Sequence, residues 1–345
     1  MLHPSTARER IIAAWLLLCC AMIFAMVVLG GVTRLTGSGL SMVEWDPIFG
    51  VVPPLNPEAW TAVFEKYRAS PEYQQVNMHM DVEDFKSIYW FEFTHRLLGR
   101  TIGTVFLLPF LYFLWRGWLQ RPLVPKLIGM FVLGGLQGAL GWYMVASGLI
   151  DNPHVSQYRL TAHLVMAFLI YGFIFWTALD LLYPACAVDE TVSRRLRAGA
   201  RLFLTLVVVT VSSGGLVAGL KAGFAYSTFP LMDGHLVPEA IFLFEPRWRN
   251  FFENIATVQF DHRVLATLVL IGGVTLWLAT RNLSGALCRR AYLLLGMIGV
   301  QITLGISTLL LHVPIALASL HQAGALVLFT LTLYLLHGVQ RAVRA

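Results

Sequence analysis

Apolar residues dominate eight stretches of the chain, at roughly 11–32, 88–115, 124–149, 158–183, 200–220, 255–280, 290–311 and 313–337. Each is long enough to cross a bilayer, which takes about 20 mostly apolar residues in a helix. The second and sixth begin less cleanly. Glu92, His95, Arg96 and Arg100 occupy the start of one, and Asp261, His262 and Arg263 the start of the other. No small-residue cleavage site follows the first stretch, so it reads as a spanning helix rather than a signal peptide. The pattern predicts an all-α membrane protein with eight transmembrane helices.

The connections alternate in character. Arg8 and Arg10, the 116–126 loop, the 184–201 loop, the 281–290 loop, and Arg341 with Arg344 are short and basic. The 33–87 and 221–254 loops are long, and their acidic residues offset or outnumber the basic ones. By the positive-inside rule the basic side, with both termini, is cytoplasmic, or matrix-facing in a mitochondrion. This predicts a multi-pass protein of the bacterial inner membrane, or of the mitochondrial inner membrane in a eukaryote.

The helices also repeat. Gly30-Gly31 ends the first and Gly214-Gly215 lies near the end of the fifth. His95-Arg96 stands at the start of the second and His262-Arg263 at that of the sixth. Gln137 and Gly141 in the third match Gln301 and Gly305 in the seventh, and His163 in the fourth matches His321 in the eighth. Four helices per half means both halves run the same way, a parallel repeat about an axis along the membrane normal. The expected organisation is two pseudo-symmetric four-helix bundles, 1–183 and 202–345, joined by a 184–201 cytoplasmic linker.

Composition narrows the class. Hydrophobic residues make up 57% and charged residues 13% of the 345, against about 25% charged in an ordinary soluble domain. A soluble enzyme, a disordered chain and a nucleic-acid binder are excluded. The net charge of +6 does not restore the last of these, because the basic residues cluster between apolar runs. Lipid is the expected surroundings. Cys19, Cys20, Cys186 and Cys288 form no CxxC or CxxCH motif, so neither thiolate zinc nor covalent haem attachment is indicated.

Ten histidines are many for so apolar a chain, and ionisable residues inside a membrane point to function. His95, His163, His262 and His321 each lie near the outer end of an even-numbered helix. Two per half, on different helices, suit a six-coordinate haem with one imidazole on each axial face, in the usual place for a bundle cofactor. Gly99, Ala167 and Ala325, one turn from their histidines, leave room for a flat macrocycle. A carboxylate di-metal site would need more Glu-x-x-His pairs than the single Glu92-x-x-His95. Scarce thiolates and carboxylates disfavour zinc. His3, His79, His154, His235 and His337 read as solvated or interfacial, and His312 as a helix cap beside Pro314. Arg96 and Arg263, each following a histidine, are placed for forked contacts with haem propionates.

The halves differ at one position. Glu92 stands three residues before His95, where the other half has Gln259 before His262. A structural cofactor site needs no buried carboxylate, whereas proton transfer or water positioning does. The expected arrangement is a fixed haem on His262 and His321, a haem-like substrate at His95 and His163, and acid–base chemistry at Glu92.

Seven ordered stretches carry a resemblance: GGVTRLTGSGLSMVEWDP at 30–47, FEFTHRLLGR at 91–100, QGALGWYMVASGL at 137–149, YRLTAHL at 158–164, GGLVAGLKAG at 214–223, VQFDHR at 258–263 and LHVPIALASLHQ at 311–322. With them, almost the whole chain resembles heme A synthase. The resemblance implies an oxidoreductase that converts heme O to heme A for terminal oxidases, by oxidising the C8 methyl to a formyl through an alcohol and a geminal diol. It implies heme b as cofactor on the C-terminal histidine pair, substrate haem in the N-terminal half, and Glu92 as the catalytic carboxylate. Heme O synthase and oxidase assembly factors are implied as partners. Some bacterial members carry a cysteine pair in the outer loops. Here neither long loop contains a cysteine, as in the branch found in some proteobacteria and in mitochondria. Gly134, Gly135 and Gly138 permit close helix packing and hence a homo-oligomer. A di-haem b-type electron-transfer cytochrome is the competing reading, although all four histidines lie toward one face. A transporter is disfavoured because the repeat is parallel rather than inverted.

Overall fold

A computed structural model describes residues 5–45, 50–183, 188–283 and 285–344. His3, Asp46, Pro47 and Cys186 lie outside the described residues. The described chain is helical, with eleven α-helices: α1 (Ala7–Leu35), α2 (Pro57–Arg68), α3 (Pro71–Gln75), α4 (Val82–Trp115), α5 (Leu123–Ala146), α6 (Gln157–Leu182), α7 (Arg194–Gly219), α8 (Asn250–Glu253), α9 (Ile255–Thr280), α10 (Ala286–Leu310) and α11 (Ile315–Arg341). Eight of them, α1, α4, α5, α6, α7, α9, α10 and α11, are long and apolar enough to cross a membrane, and they coincide with the eight apolar stretches. Strand pairing among the described residues is confined to a short parallel pairing of β1 (Val188–Val192) with β2 (Ala342–Arg344) and an isolated bridge between Met232 and His235.

The spans are built inside out compared with a soluble helix. Large apolar residues such as Leu108, Val132, Leu136, Leu202, Ile271 and Val300 are exposed. A water-soluble domain does not carry contiguous apolar surface on this scale. Hydrocarbon is the solvent that makes it stable, and the chain is a multi-pass membrane protein.

Helix starts follow local chemistry. Asp81 caps α4 by accepting from Glu83 N and Asp84 N at 2.8 and 2.9 Å. Asn254 caps α9 through Ala256 N at 2.9 Å, and Ser193 caps α7 through Leu196 N at 3.2 Å. Each satisfies amide donors that the first helical turn leaves without a carbonyl.

Packing divides the chain into two compact units. One is Met22–Ala167 and the other combines Met1–Ala21 with Phe168–Ala345. In the first, α4 extends outward beyond its hydrophobic stretch. The long first outer loop folds on that extension as α2 and α3, around an aromatic core of Trp60, Phe64, Tyr67, Phe85, Tyr89 and Phe93. Tyr67 and Phe85 stack with ring centres 4.9 Å apart, and Trp60 meets Tyr89 edge-on at 5.0 Å. Burial pushes the Tyr67 phenol above its usual range. In the second unit, α11 supplies much of the core through Leu326, Phe329, Leu333, Leu335 and Leu336, and α10 and α7 pack against it. The second outer loop is organised by Asn250, fully buried, which accepts from Phe244 N and donates to Phe244 O and Arg247 O.

Candidate functional site

His95 and His163 fall in the first unit, and His262 and His321 in the second. All four are half-buried. His163, His262 and His321 stand about two turns into α6, α9 and α11. His95 does not open its helix as expected, because the aromatic core lets α4 begin at Val82.

Each histidine leans on a glycine of the preceding spanning helix. A Cβ built on Gly30 would lie 3.0 Å from His95 Nε2, and one on Gly141 would lie 3.0 Å from His163 Cε1. The same holds for Gly214 against His262 Cε1 at 3.2 Å and Gly305 against His321 Cε1 at 2.8 Å. The small residues that admit the rings are therefore these four. A Cβ built on Gly99, expected to leave room for a macrocycle, would have Met26 as its nearest neighbour at 3.4 Å. The doublets at 30–31 and 214–215 and the 137/141 and 301/305 matches held this signal, but spacing alone does not show which ring meets which backbone.

Polar side chains fix three of the rings. Gln137 Nε2 donates to His163 O at 2.9 Å and lies 3.4 Å from the ring's Nε2. Gln301 Nε2 donates to His321 O at 2.9 Å and lies 3.2 Å from its Nδ1. Ser213 Oγ is 2.7 Å from His262 Nδ1. His163 Nδ1 is buried with no partner, a condition that a bound ligand would relieve.

The His262 and His321 rings are 6.4 Å apart between centres, with planes at 82°. A metal–imidazole bond of about 2.0–2.1 Å on each side, plus roughly 1.1 Å from nitrogen to ring centre, gives about 6.3 Å. The observed separation of the two rings matches that sum. Among the described residues no group of three or more His, Cys, Asp and Glu side chains could hold a metal ion.

Glu92 is 3% exposed. Its Oε2 accepts from Ser41 Oγ at 2.9 Å and Met42 N at 2.7 Å, and its Oε1 accepts from Arg96. Arg96 also donates to Glu44 O and Met42 O, both at 2.7 Å. Glu92 and Arg96 thus fasten the start of the first outer loop over the His95 helix. In the other unit, Gln259 Nε2 donates to Tyr226 O at 3.0 Å, and Arg263 donates to Tyr226 O and Leu231 O at 3.1 and 3.3 Å. The positions flanking the two histidines do the same work in both units, with a carboxylate in one and an amide in the other. Arg263 Nε and Gln259 Oε1 remain buried without partners.

Four of the remaining histidines sit where a solvated or turn role suits them. His79, His154 and His235 are exposed, and His312 lies in the tight turn before α11 at φ 61°. His337 corrects the expectation: it is 1% exposed and bonded to Asp180 at 3.1 Å.

Residues 13–333 match the model of a family described as cytochrome oxidase assembly protein, COX15-CtaA. The chain is 56% identical to a heme A synthase of Nitrosospira multiformis, over 97% of this chain and 95% of that one. It is 50% identical to a heme A synthase of Paramagnetospirillum magneticum, over 97% and 95%. It is 49% identical to heme A synthase COX15 of Arabidopsis thaliana, over 96% of this chain and 75% of the plant protein. With a family match running from the first span into the last and taking in all four histidines and Glu92, the chain belongs to the COX15-CtaA family of cytochrome oxidase assembly proteins.

Proposed function

We propose that this chain is a heme A synthase, an oxidoreductase that oxidises the C8 methyl of heme O to the formyl of heme A. The observation that carries the reading is the 6.4 Å, near-perpendicular pairing of His262 and His321, in a chain whose near-full-length relatives are named heme A synthase. His262 and His321 would hold a resident heme b, and His95 and His163 would receive the substrate haem. When bound, a b-type haem supplies one-electron redox chemistry.

The protein groups have separable tasks. Glu92 is the proton acceptor for oxidation of the methyl carbon. An ionised carboxylate offers about four lone-pair positions. Ser41, Met42 and Arg96 take three of them, which holds the group in place and leaves room for a proton or water. Arg263, with Nε buried and unpartnered, and Arg96 are the propionate contacts. The electron-transfer cytochrome explains the histidines but gives no task to Glu92 where its repeat partner is Gln259.

The halves 1–183 and 202–345 carry one site each on either side of the 184–201 linker, as two pseudo-symmetric bundles with both termini cytoplasmic. Heme O synthase upstream and oxidase assembly factors downstream are the proposed partners. Open space around Gly134, Gly135 and Gly138 supports a homo-oligomeric contact.

The test is to express the chain with and without a source of heme O and to identify the extracted haems. Hydroxylated haem or heme A that appears only with heme O supports the reading, and heme b alone in both conditions removes it. Glu92→Gln is expected to keep bound heme b and lose formyl product, whereas His262→Ala and His321→Ala lose heme b.

A further inference from the structure

Of the four candidate ligand histidines, His262 alone has a hydroxyl on its ring. Ser213 stands next to Gly214 on α7, with its Oγ 2.7 Å from His262 Nδ1 and 2.8 Å from the Thr210 carbonyl. A serine hydroxyl has one proton to give. The Thr210 carbonyl can only accept, so it takes that proton, and the hydroxyl in turn accepts from Nδ1–H of His262. The relay fixes which ring nitrogen carries hydrogen. Nε2 is left with its lone pair free, as a metal ligand requires.

The position matched to Ser213 by the glycine doublets is Leu29, which cannot make this bond. Among the described residues no side chain is hydrogen-bonded to the ring of His95. Gly30 still presses on that ring, with a Cβ position 3.0 Å from Nε2. His95 therefore rests on its glycine by a different edge, Nε2 and Cδ2 rather than the Cε1 and Nδ1 of His262, and lacks the anchor.

We propose that Ser213 is a positioning residue that locks His262 as a permanent axial ligand, and that its replacement by Leu29 in the other half leaves His95 an exchangeable one. This rests on the reading of the chain as a haem enzyme. A cofactor must stay through many turnovers, whereas a substrate haem must enter and leave. Donation from Nδ1 to a hydroxyl makes the imidazole a stronger ligand, and loss of such a partner commonly weakens metal affinity about 10–100-fold. The same bond enriches the ring in electrons, which favours oxidised iron and lowers the potential.

The test uses the full chain purified in detergent after expression without heme O. Redox titration and the rate of haem transfer to a haem-scavenging protein are the readouts. Ser213→Ala is expected to raise the midpoint potential and speed transfer by at least about tenfold, with Ser213→Thr restoring both. The reciprocal variant, Leu29→Ser, is loaded with heme O and is expected to release it more slowly than the unaltered chain. If Ser213→Ala holds haem with unchanged potential and transfer rate, the inference fails while the haem reading stands. If Ser213→Ala does not fold, Leu29→Ser decides: unchanged release of heme O overturns the inference. An unaltered chain that binds no haem would overturn both.

Discussion

A single methyl group distinguishes the glycines under the histidines from alanine, and its position can be stated. On Gly305 it would fall 2.8 Å from His321 Cε1, nearer than real Cβ atoms approach a ring carbon. On Gly299, two turns earlier in α10, it would meet nothing within 4 Å. Alanine favours a helix over glycine by about 1 kcal/mol. Gly299→Ala is therefore expected to keep its haem and to be as stable as the parent or slightly more so. Gly305→Ala is expected to displace the His321 imidazole and lose bound heme b. Absorbance of the purified variants checks both, and equal haem content in the two would mean that Gly305 is not there for the histidine. At this scale the sequence was informative about residue type and less so about partnership. The four histidines, Glu92 and the paired glycines and glutamines stand out by repetition alone. Arg96 shows the limit. A basic residue beside a histidine suggested a ligand contact, and adjacency did not show that its guanidinium would also take Glu92 and the carbonyls of Met42 and Glu44 as partners. Such a choice depends on where a distant loop returns, which adjacency along the chain does not encode.

Among the elements, α4 departs furthest from its hydropathy. The apolar stretch begins near 88, yet the helix begins at Val82. The added turns are stable because α2 lays Trp60, Phe64 and Tyr67 on them, at the i, i+4, i+7 spacing of one helix face. That periodicity is present in the 33–87 loop, which charge counting alone describes only as long and not basic. The same loop is pinned at its other end by Arg96 and Glu92. Removing Arg96 takes away three hydrogen bonds, and a bond to a charged group contributes about 1.5–3 kcal/mol. Arg96→Ala is expected to raise amide exchange in 41–45 by at least about tenfold, with the α2 aromatic core still protected. Unchanged exchange in 41–45 would show that the loop is held by something else.

At the scale of the whole molecule, the larger of its two units ties α6, α7 and α11 together at the ends of α6 and α11 away from His163 and His321. Asp180 on α6 accepts from His337 and Arg341 on α11, and Arg197 on α7 donates to the Val339 and Ala342 carbonyls. Leaving buried partners of a charge network unsatisfied costs roughly 1–3 kcal/mol. Asp180→Asn is expected to lower the thermal midpoint in detergent while haem content stays at the parent level. A midpoint within error of the parent would show that the network is dispensable. The eight spans were legible because bilayer thickness dictates their length. This network was not, because an Asp and a His in apolar helices look alike whether they meet each other or face a headgroup.

The glycine seats have one more consequence. His262 and His321 lie close against the main chain at Gly214 and Gly305, which leaves little slack between helix and imidazole. Their separation is set by the distance and tilt between helices. A thinner or thicker bilayer changes helix tilt, and here that change would pass with little damping to the two imidazoles, and to any haem they hold. Membrane composition would then tune the ligand field, and the visible spectrum of the protein would shift with the acyl-chain length of the lipid around it.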